Sequence, residues 1–131
     1  MPFLPLFIIF AIVIALSVAL VKTDQDLNSK VEEIEPEFLQ KKILEGRPPI
    51  IIDLRDPKEY KKGHIPGAQS MVPEDLPKWA EELQREVEIV LVCSNGKRSR
   101  KIARVLEKGG FEFLEYLEGG MNAWTFETES E

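Results

Sequence analysis

The residues of this chain whose types and spacing can do chemistry lie in one stretch, Cys93-Ser94-Asn95-Gly96-Lys97-Arg98-Ser99. It joins an apolar run, Ile89-Val90-Leu91-Val92, to a basic segment, Arg100-Lys101-Ile102-Ala103-Arg104. Cys93 is the only cysteine, so no intrachain disulfide can engage it. A thiol at a strand-to-helix turn faces backbone N–H groups and the positive end of a helix dipole, which favour its thiolate. The amides of Ser94 through Ser99 can curl into a cradle for an anion or an anionic sulfur. Gly96 allows a positive φ in so tight a loop. Lys97 and Arg98 add cationic donors at the rim, and Arg98 can offer a planar fork to an oxyanion. The chemistry that fits is attack by a stabilised thiolate, with a covalent sulfur-linked intermediate. The competing reading is a buried core thiol, a common fate of cysteine. Strand end, glycine loop and unopposed basic charge together weigh against it.

Charge supports the same focus. The formal net charge is −6, and an acidic chain argues against nucleic acid as a generic partner. From residue 89 to residue 106, however, there are five basic residues and no acidic one. That local reversal predicts an anion near Cys93.

Several elements must position this loop. Residues 31–35 suit a short edge strand, and Pro36 suits the first turn of a helix reaching about Glu45. Residues 50–54, Ile50-Ile51-Ile52-Asp53-Leu54, form an apolar run too uniform for a strand with one wet face, which predicts a parallel sheet covered on both sides. Asp56 caps a short helix with Pro57 in its first turn. A turn over residues 63–68 precedes a short strand near 69–72, and residues 73–86 read as largely helical. The second buried strand, residues 88–92, delivers Cys93. The following helix should bury Ser99, Ile102, Ala103 and Leu106, leave Arg100, Lys101, Arg104 and Lys108 wet, and stop at Gly109-Gly110. Residues 113–117 make a further strand, and Gly119-Gly120 leads to a last short helix carrying Met121 and Trp124. The fold class is therefore α/β, a mainly parallel sheet flanked by helices. Asp53 and Arg55 fall at the end of the first buried strand. An Asp in an apolar run must be paired or hydrogen-bonded, so both are expected to be structural, supporting residues, with loop bracing or substrate contact as the alternative.

At 131 residues there is room for one domain and a leader. Residues 3–21 are apolar apart from Ser17 and carry no charge. As a helix they would extend roughly 28 Å, close to the thickness of a bilayer's hydrocarbon core. The expected organisation is a transmembrane anchor or uncleaved signal over residues 1–22, a polar linker over 23–30, and one domain over 31–131. A cleaved signal peptide, with Ser17-Val18-Ala19 as its site, is the rival reading. Lys22, Lys30, Lys41 and Lys42 follow the apolar segment. The positive-inside rule then puts the domain in the cytoplasm, with the exterior or periplasm as the alternative. A lone free cysteine fits a reducing compartment.

Three blocks in one order now resemble a known family. The first is Ile51-Ile52-Asp53-Leu54-Arg55 followed by Glu59-Tyr60 and Gly63-His64-Ile65-Pro66-Gly67-Ala68, similar to the opening signature of rhodanese domains. Cys93-x-x-Gly96-x-Arg98-Ser99 resembles that family's active loop, and Leu117-Glu118-Gly119-Gly120-x-x-Ala123-Trp124 its closing motif. The resemblance covers roughly residues 31–126 and implies a rhodanese-like three-layer sandwich, preceded here by one transmembrane helix. It further implies a single-domain sulfurtransferase. Cys93 would take a sulfane sulfur from thiosulfate or another donor, hold it as a persulfide and pass it to a thiol or protein acceptor. The amides of Ser94, Asn95, Gly96 and Ser99, with Lys97 and Arg98, would hold the persulfide and the anionic donor. No cofactor or metal is called for. His64 falls in a structural turn of the family pattern, not at a catalytic position. Related cell-cycle phosphatases and arsenate reductases carry one more residue between cysteine and arginine. The four residues from Ser94 to Lys97 therefore favour sulfur transfer over phosphate chemistry. A catalytically silent interaction module and a small oxyanion reductase or phosphatase are the alternatives.

Overall fold

The computed structural model describes the backbone of residues 5–131 and the side chains of that span other than 21–27. Five parallel strands form one sheet in the order β1-β5-β4-β2-β3. These are β1 (Glu32–Ile34), β2 (Ile50–Asp53), β3 (Gln69–Ser70), β4 (Glu88–Val92) and β5 (Phe113–Leu117). β4 is central, aligning Ile51 with Val90 and Asp53 with Val92 on one side and Ile89 with Leu114 on the other. The two apolar runs thus occupy the middle of the sheet, where both faces must be covered.

Alternation along β2 and β4 divides the core into two layers. Ile51, Val90 and Val92 pack with Leu39, Tyr60, Leu117 and Trp124. Those partners come from helix α2 (Pro36–Leu44), helix α3 (Pro57–Lys62) and the strand and turn near the C-terminus. Ile52, Ile89 and Leu91 turn the other way, onto Trp79, Ala103 and Leu106. Trp79 belongs to α4 (Leu76–Glu82), and Ala103 and Leu106 belong to α5 (Lys97–Lys108). The expected sandwich is present, and its central strands meet the expected bounds to within a residue.

α5 follows from its pattern. Ser99, Ala103 and Leu106 recur at helical spacing and are buried, with Ile102 partly so. Full burial of a side chain such as Leu106 stabilises by about 1.5–3 kcal/mol. Arg100, Lys101 and Lys108 are exposed as expected, but Arg104 is half-buried. The helix ends where the Gly109 amide donates to the carbonyls of Val105 and Leu106.

Two expectations change. Residues 73–86 do not form one helix. A 3₁₀ turn over Pro73–Asp75 precedes α4, which ends at Glu82. Pro77 has no N–H to donate to the Pro73 carbonyl, which instead accepts from the Leu76 amide. The second change concerns the leader. A helix, α1, runs over Leu6–Leu27, starting after Pro5 and continuing through residues expected to form a linker. Its uncharged part, residues 6–21, spans only roughly 24 Å against a hydrocarbon core of about 30 Å. Among the described residues, no helix is long and apolar enough to cross a membrane, so the expected transmembrane helix is not found.

Candidate active site

β4 ends at Val92 and the chain turns at Cys93, which is 4% exposed. The sulfur accepts hydrogen bonds from two amides, Gly96 N–H at 3.1 Å and Ser99 N–H at 3.4 Å. The first amides of a helix have no partner within it. Here the cap position is Gly96, whose φ of 88° lies in the left-handed region and which has no side chain to accept them. Cys93 Sγ takes that place, while Asn95 Oδ1 accepts from the Lys97 amide at 3.0 Å. The sulfur therefore sits where helix-terminal donors converge.

The loop is braced from behind by the turn after β5, a 3₁₀ turn over Gly120–Ala123. Met121 N–H donates to the Cys93 carbonyl at 2.8 Å, and Asn122 N–H to the Ser94 carbonyl at 3.0 Å. This approach requires Gly120. A Cβ there would lie 2.3 Å from the Cys93 carbonyl oxygen, at a φ of +60°. Sequence reasoning placed Gly119-Gly120 ahead of a last helix but missed this brace. Small residues directly after a buried strand were the available signal.

Asp53 and Arg55 brace the opposite wall. The Asp53 carboxylate accepts from the Arg55 amide at 3.0 Å, from Nε at 3.1 and 3.2 Å, and from Nη2 at 2.8 Å. Arg55 Nη2 also donates to the Gly63 carbonyl at 2.7 Å. The pair thus ties the end of β2 to the turn after α3. The buried carboxylate is satisfied, as an Asp in an apolar strand requires.

Between these walls lies a cavity of about 370 Å³, lined by Arg55, Asp56, Cys93, Lys97, Arg98 and Lys101 among others. Ser94 and Asn95 also line it, whereas Gly96 and Ser99 lie behind the sulfur. Lys101, expected on the wet face of the helix, lies one helical turn beyond Lys97 and lines the same cavity. Lys97, Arg98 and Lys101 form no ion pair among the described residues, leaving their charge available to an anion.

His64 lies elsewhere. Its ring stacks on Tyr60 at 3.8 Å, and its Nδ1 lies 2.8 Å from the Tyr60 carbonyl. Its backbone exchanges two hydrogen bonds with Glu129, fastening the C-terminal segment. The Tyr60 hydroxyl donates to the Ala68 carbonyl at 2.6 Å. Burial pushes its pKa up, and nearby Glu131, Asp53 and Glu129 push the same way, so it remains a donor. This cluster holds a turn and lies outside the cavity lining.

These elements define a parallel α/β domain with a cysteine loop at the carboxyl edge of its sheet. The family model for the rhodanese-like domain matches residues 35–127. The chain belongs to that family. It is 34% identical over 100 residues to the sulfurtransferase candidate YtwF of Bacillus subtilis, covering 76% of this chain and 96% of that protein. It is 33% identical over 82 residues to the thiosulfate sulfurtransferase GlpE of Pseudoalteromonas translucida, covering 63% and 78%. The sulfur-carrier candidate YrkF of Bacillus subtilis is 36% identical over 101 residues, and this chain spans about half its length, 55%. Among solved structures, a rhodanese-like domain protein from Staphylococcus aureus superposes with a TM-score of 0.69 at 32% identity, covering 76% of this chain and 98% of that one. At the level of the family, the chemistry is rhodanese-type sulfur transfer.

Proposed function

We propose that this chain is a sulfurtransferase that loads a sulfane sulfur onto Cys93 as a persulfide, from thiosulfate or a persulfide donor, and passes it to a thiol or protein acceptor. The observation that carries this reading is the Cys93 sulfur, held by two amides on a cavity whose mouth bears Lys97, Arg98 and Lys101. With thiosulfate as donor, the Cys93 thiolate attacks the outer sulfur. The thiosulfate S–S bond breaks, sulfite leaves with its electron pair, and Cys93 carries a terminal anionic sulfur. An acceptor thiolate then attacks that sulfur, and Cys93 leaves as the thiolate. The lysines and Arg98 bind the anionic donor, and the loop amides stabilise sulfur anions at both stages. No oxidant enters either step.

The test is mass spectrometry of the full chain after exposure to thiosulfate and to glutathione persulfide. The wild type should gain one sulfur atom and Cys93→Ser none. Gain by the mutant, or no gain by the wild type with either donor, overturns the reading.

We further propose attachment to a membrane through residues 3–21, with the domain on the cytoplasmic side. Support comes from α1, whose apolar side chains lie open (Leu6 is 86% and Phe10 68% exposed), and from the lysines that follow it. The full chain should stay in the membrane pellet after an alkaline carbonate wash. An impermeant thiol reagent should leave Cys93 unlabelled in intact cells. Recovery in the wash would remove the attachment, and labelling would reverse the side.

A further inference from the structure

Among the described residues, the one buried side-chain N or O atom without a hydrogen-bond partner is the hydroxyl oxygen of Ser99. The residue is 0% exposed, so bulk water does not reach it, and an enclosed hydroxyl without a partner is unfavourable. A helical serine ordinarily turns its hydroxyl back to a carbonyl three or four residues earlier. Here the Gly96 carbonyl already accepts the Arg100 amide at 3.1 Å. The Ser99 amide donates to Cys93 Sγ at 3.4 Å, and the hydroxyl is three bonds from that nitrogen. The hydroxyl makes no hydrogen bond as it stands, so placing it on the sulfur requires rotation about the Cα–Cβ bond.

We propose that the Ser99 hydroxyl is a third donor to the Cys93 sulfur whenever that sulfur is anionic, as nucleophile and again as leaving group. It shares its proton without transferring it, so no bond to Ser99 forms or breaks. Ser99 is therefore a positioning residue that acts through Cys93, while Lys97, Arg98 and Lys101 act on the donor. This deepens the sulfur-transfer reading and rests on it for the leaving-group role. The charged groups around Cys93 are Lys97, Arg98 and Lys101 from α5, and Arg55 and Asp56 from the segment after β2. Met121 and Asn122, which hold the loop from the turn after β5, carry no charge.

The test is alkylation of the full chain by iodoacetamide across pH, which needs no sulfane donor and so can fail or succeed independently of sulfur transfer. Ser99→Ala should react roughly tenfold more slowly at neutral pH, because a hydrogen bond to the charged form is lost. The deficit should vanish at strongly alkaline pH, where every thiol is ionised. Ser99→Thr keeps the hydroxyl and should restore the rate. If the added methyl prevents folding, the Ala profile decides alone. A wild-type rate for Ser99→Ala at neutral pH, or a deficit equal at every pH, overturns the proposal, the latter showing a packing role only.

Discussion

The two ends of α5 use charge in opposite ways. At its N-terminus, beside the carboxyl ends of β4 and β2, amides converge on sulfur, and three cations line a cavity without ion-pair partners among the described residues. Toward its C-terminus, and at the amino ends of the strands, charged groups are engaged within the protein. Glu107 accepts from the Ser29 hydroxyl at 3.0 Å and the Lys30 amide at 2.7 Å, while Lys42 pairs with Glu88 and, at 3.4 Å, with Glu115. Parallel strands gather helix N-termini at one edge, so that edge meets ligands. The other edge has no such donors to offer and closes itself with side chains. An anion site on this fold is thus a matter of what the protein leaves unpaired.

The largest expected effect comes from breaking the scaffold of the first end. Asp53→Ala leaves the Arg55 guanidinium, largely enclosed, without its carboxylate. Losing one member of such a pair costs about 3–5 kcal/mol, which urea unfolding should register. A loss under about 1 kcal/mol would mean that the pair is dispensable and the wall is held by strand packing alone.

Gly120→Ala strikes the same end more locally. Its Cβ cannot sit 2.3 Å from the Cys93 carbonyl oxygen, so the loop or the turn must move. A cost of about 2–3 kcal/mol is expected, with persulfide loading reduced roughly a hundredfold by displaced donors. Loading at the wild-type rate would show that the cradle does not depend on its brace.

These two variants also mark what the sequence made legible. Asp53 was readable because a carboxylate in an apolar run requires a partner, and Arg55 stood two residues away. The cysteine loop was readable because strand end, glycine and unopposed basic charge coincide. The Gly120 brace was not, because it joins residues 27 positions apart and depends on backbone approach rather than on side-chain type. The place of Lys101 in the cavity lining was hidden for a related reason. Helical spacing marks it as exposed, but only the fold shows that the exposed face borders the cavity. The leader was legible only as apolar length. Nineteen uncharged residues suggested a span, but the helix begins after Pro5 and takes in charged residues at its far end.

At the second end the effects are smaller and depend on pH. Burial raises the Glu115 pKa above its ordinary 4.5, an effect that Lys42 only partly offsets. The Lys42 pKa rises chiefly through its hydrogen bond to Glu88. Lys42–Glu88 is therefore the main pairing, with Glu115 the weaker neighbour. A carboxyl whose folded pKa is raised favours the fold below its unfolded pKa, and that contribution is lost as pH rises through the folded value. Glu115→Gln should therefore stabilise the protein by about 0.5 kcal/mol at pH 7 and lose that advantage below roughly pH 4. Destabilisation at pH 7 would instead make Glu115 an essential partner of Lys42.

The smallest effect tests whether the two ends are independent. Glu107→Ala removes both acceptors that hold Ser29 and Lys30, partly exposed contacts worth about 1 kcal/mol at most. The 12 residues of α5 put roughly 18 Å of helix between its ends. A helix whose core is fixed by Ala103 and Leu106 gives the loss of a surface acceptor no route to the sulfur. Amide hydrogen exchange at Lys30 should rise severalfold while persulfide loading at Cys93 stays unchanged. If loading falls together with protection at Lys30, the ends are coupled through α5, and the N-terminal segment becomes a regulator of the thiol rather than a fixture at the far edge.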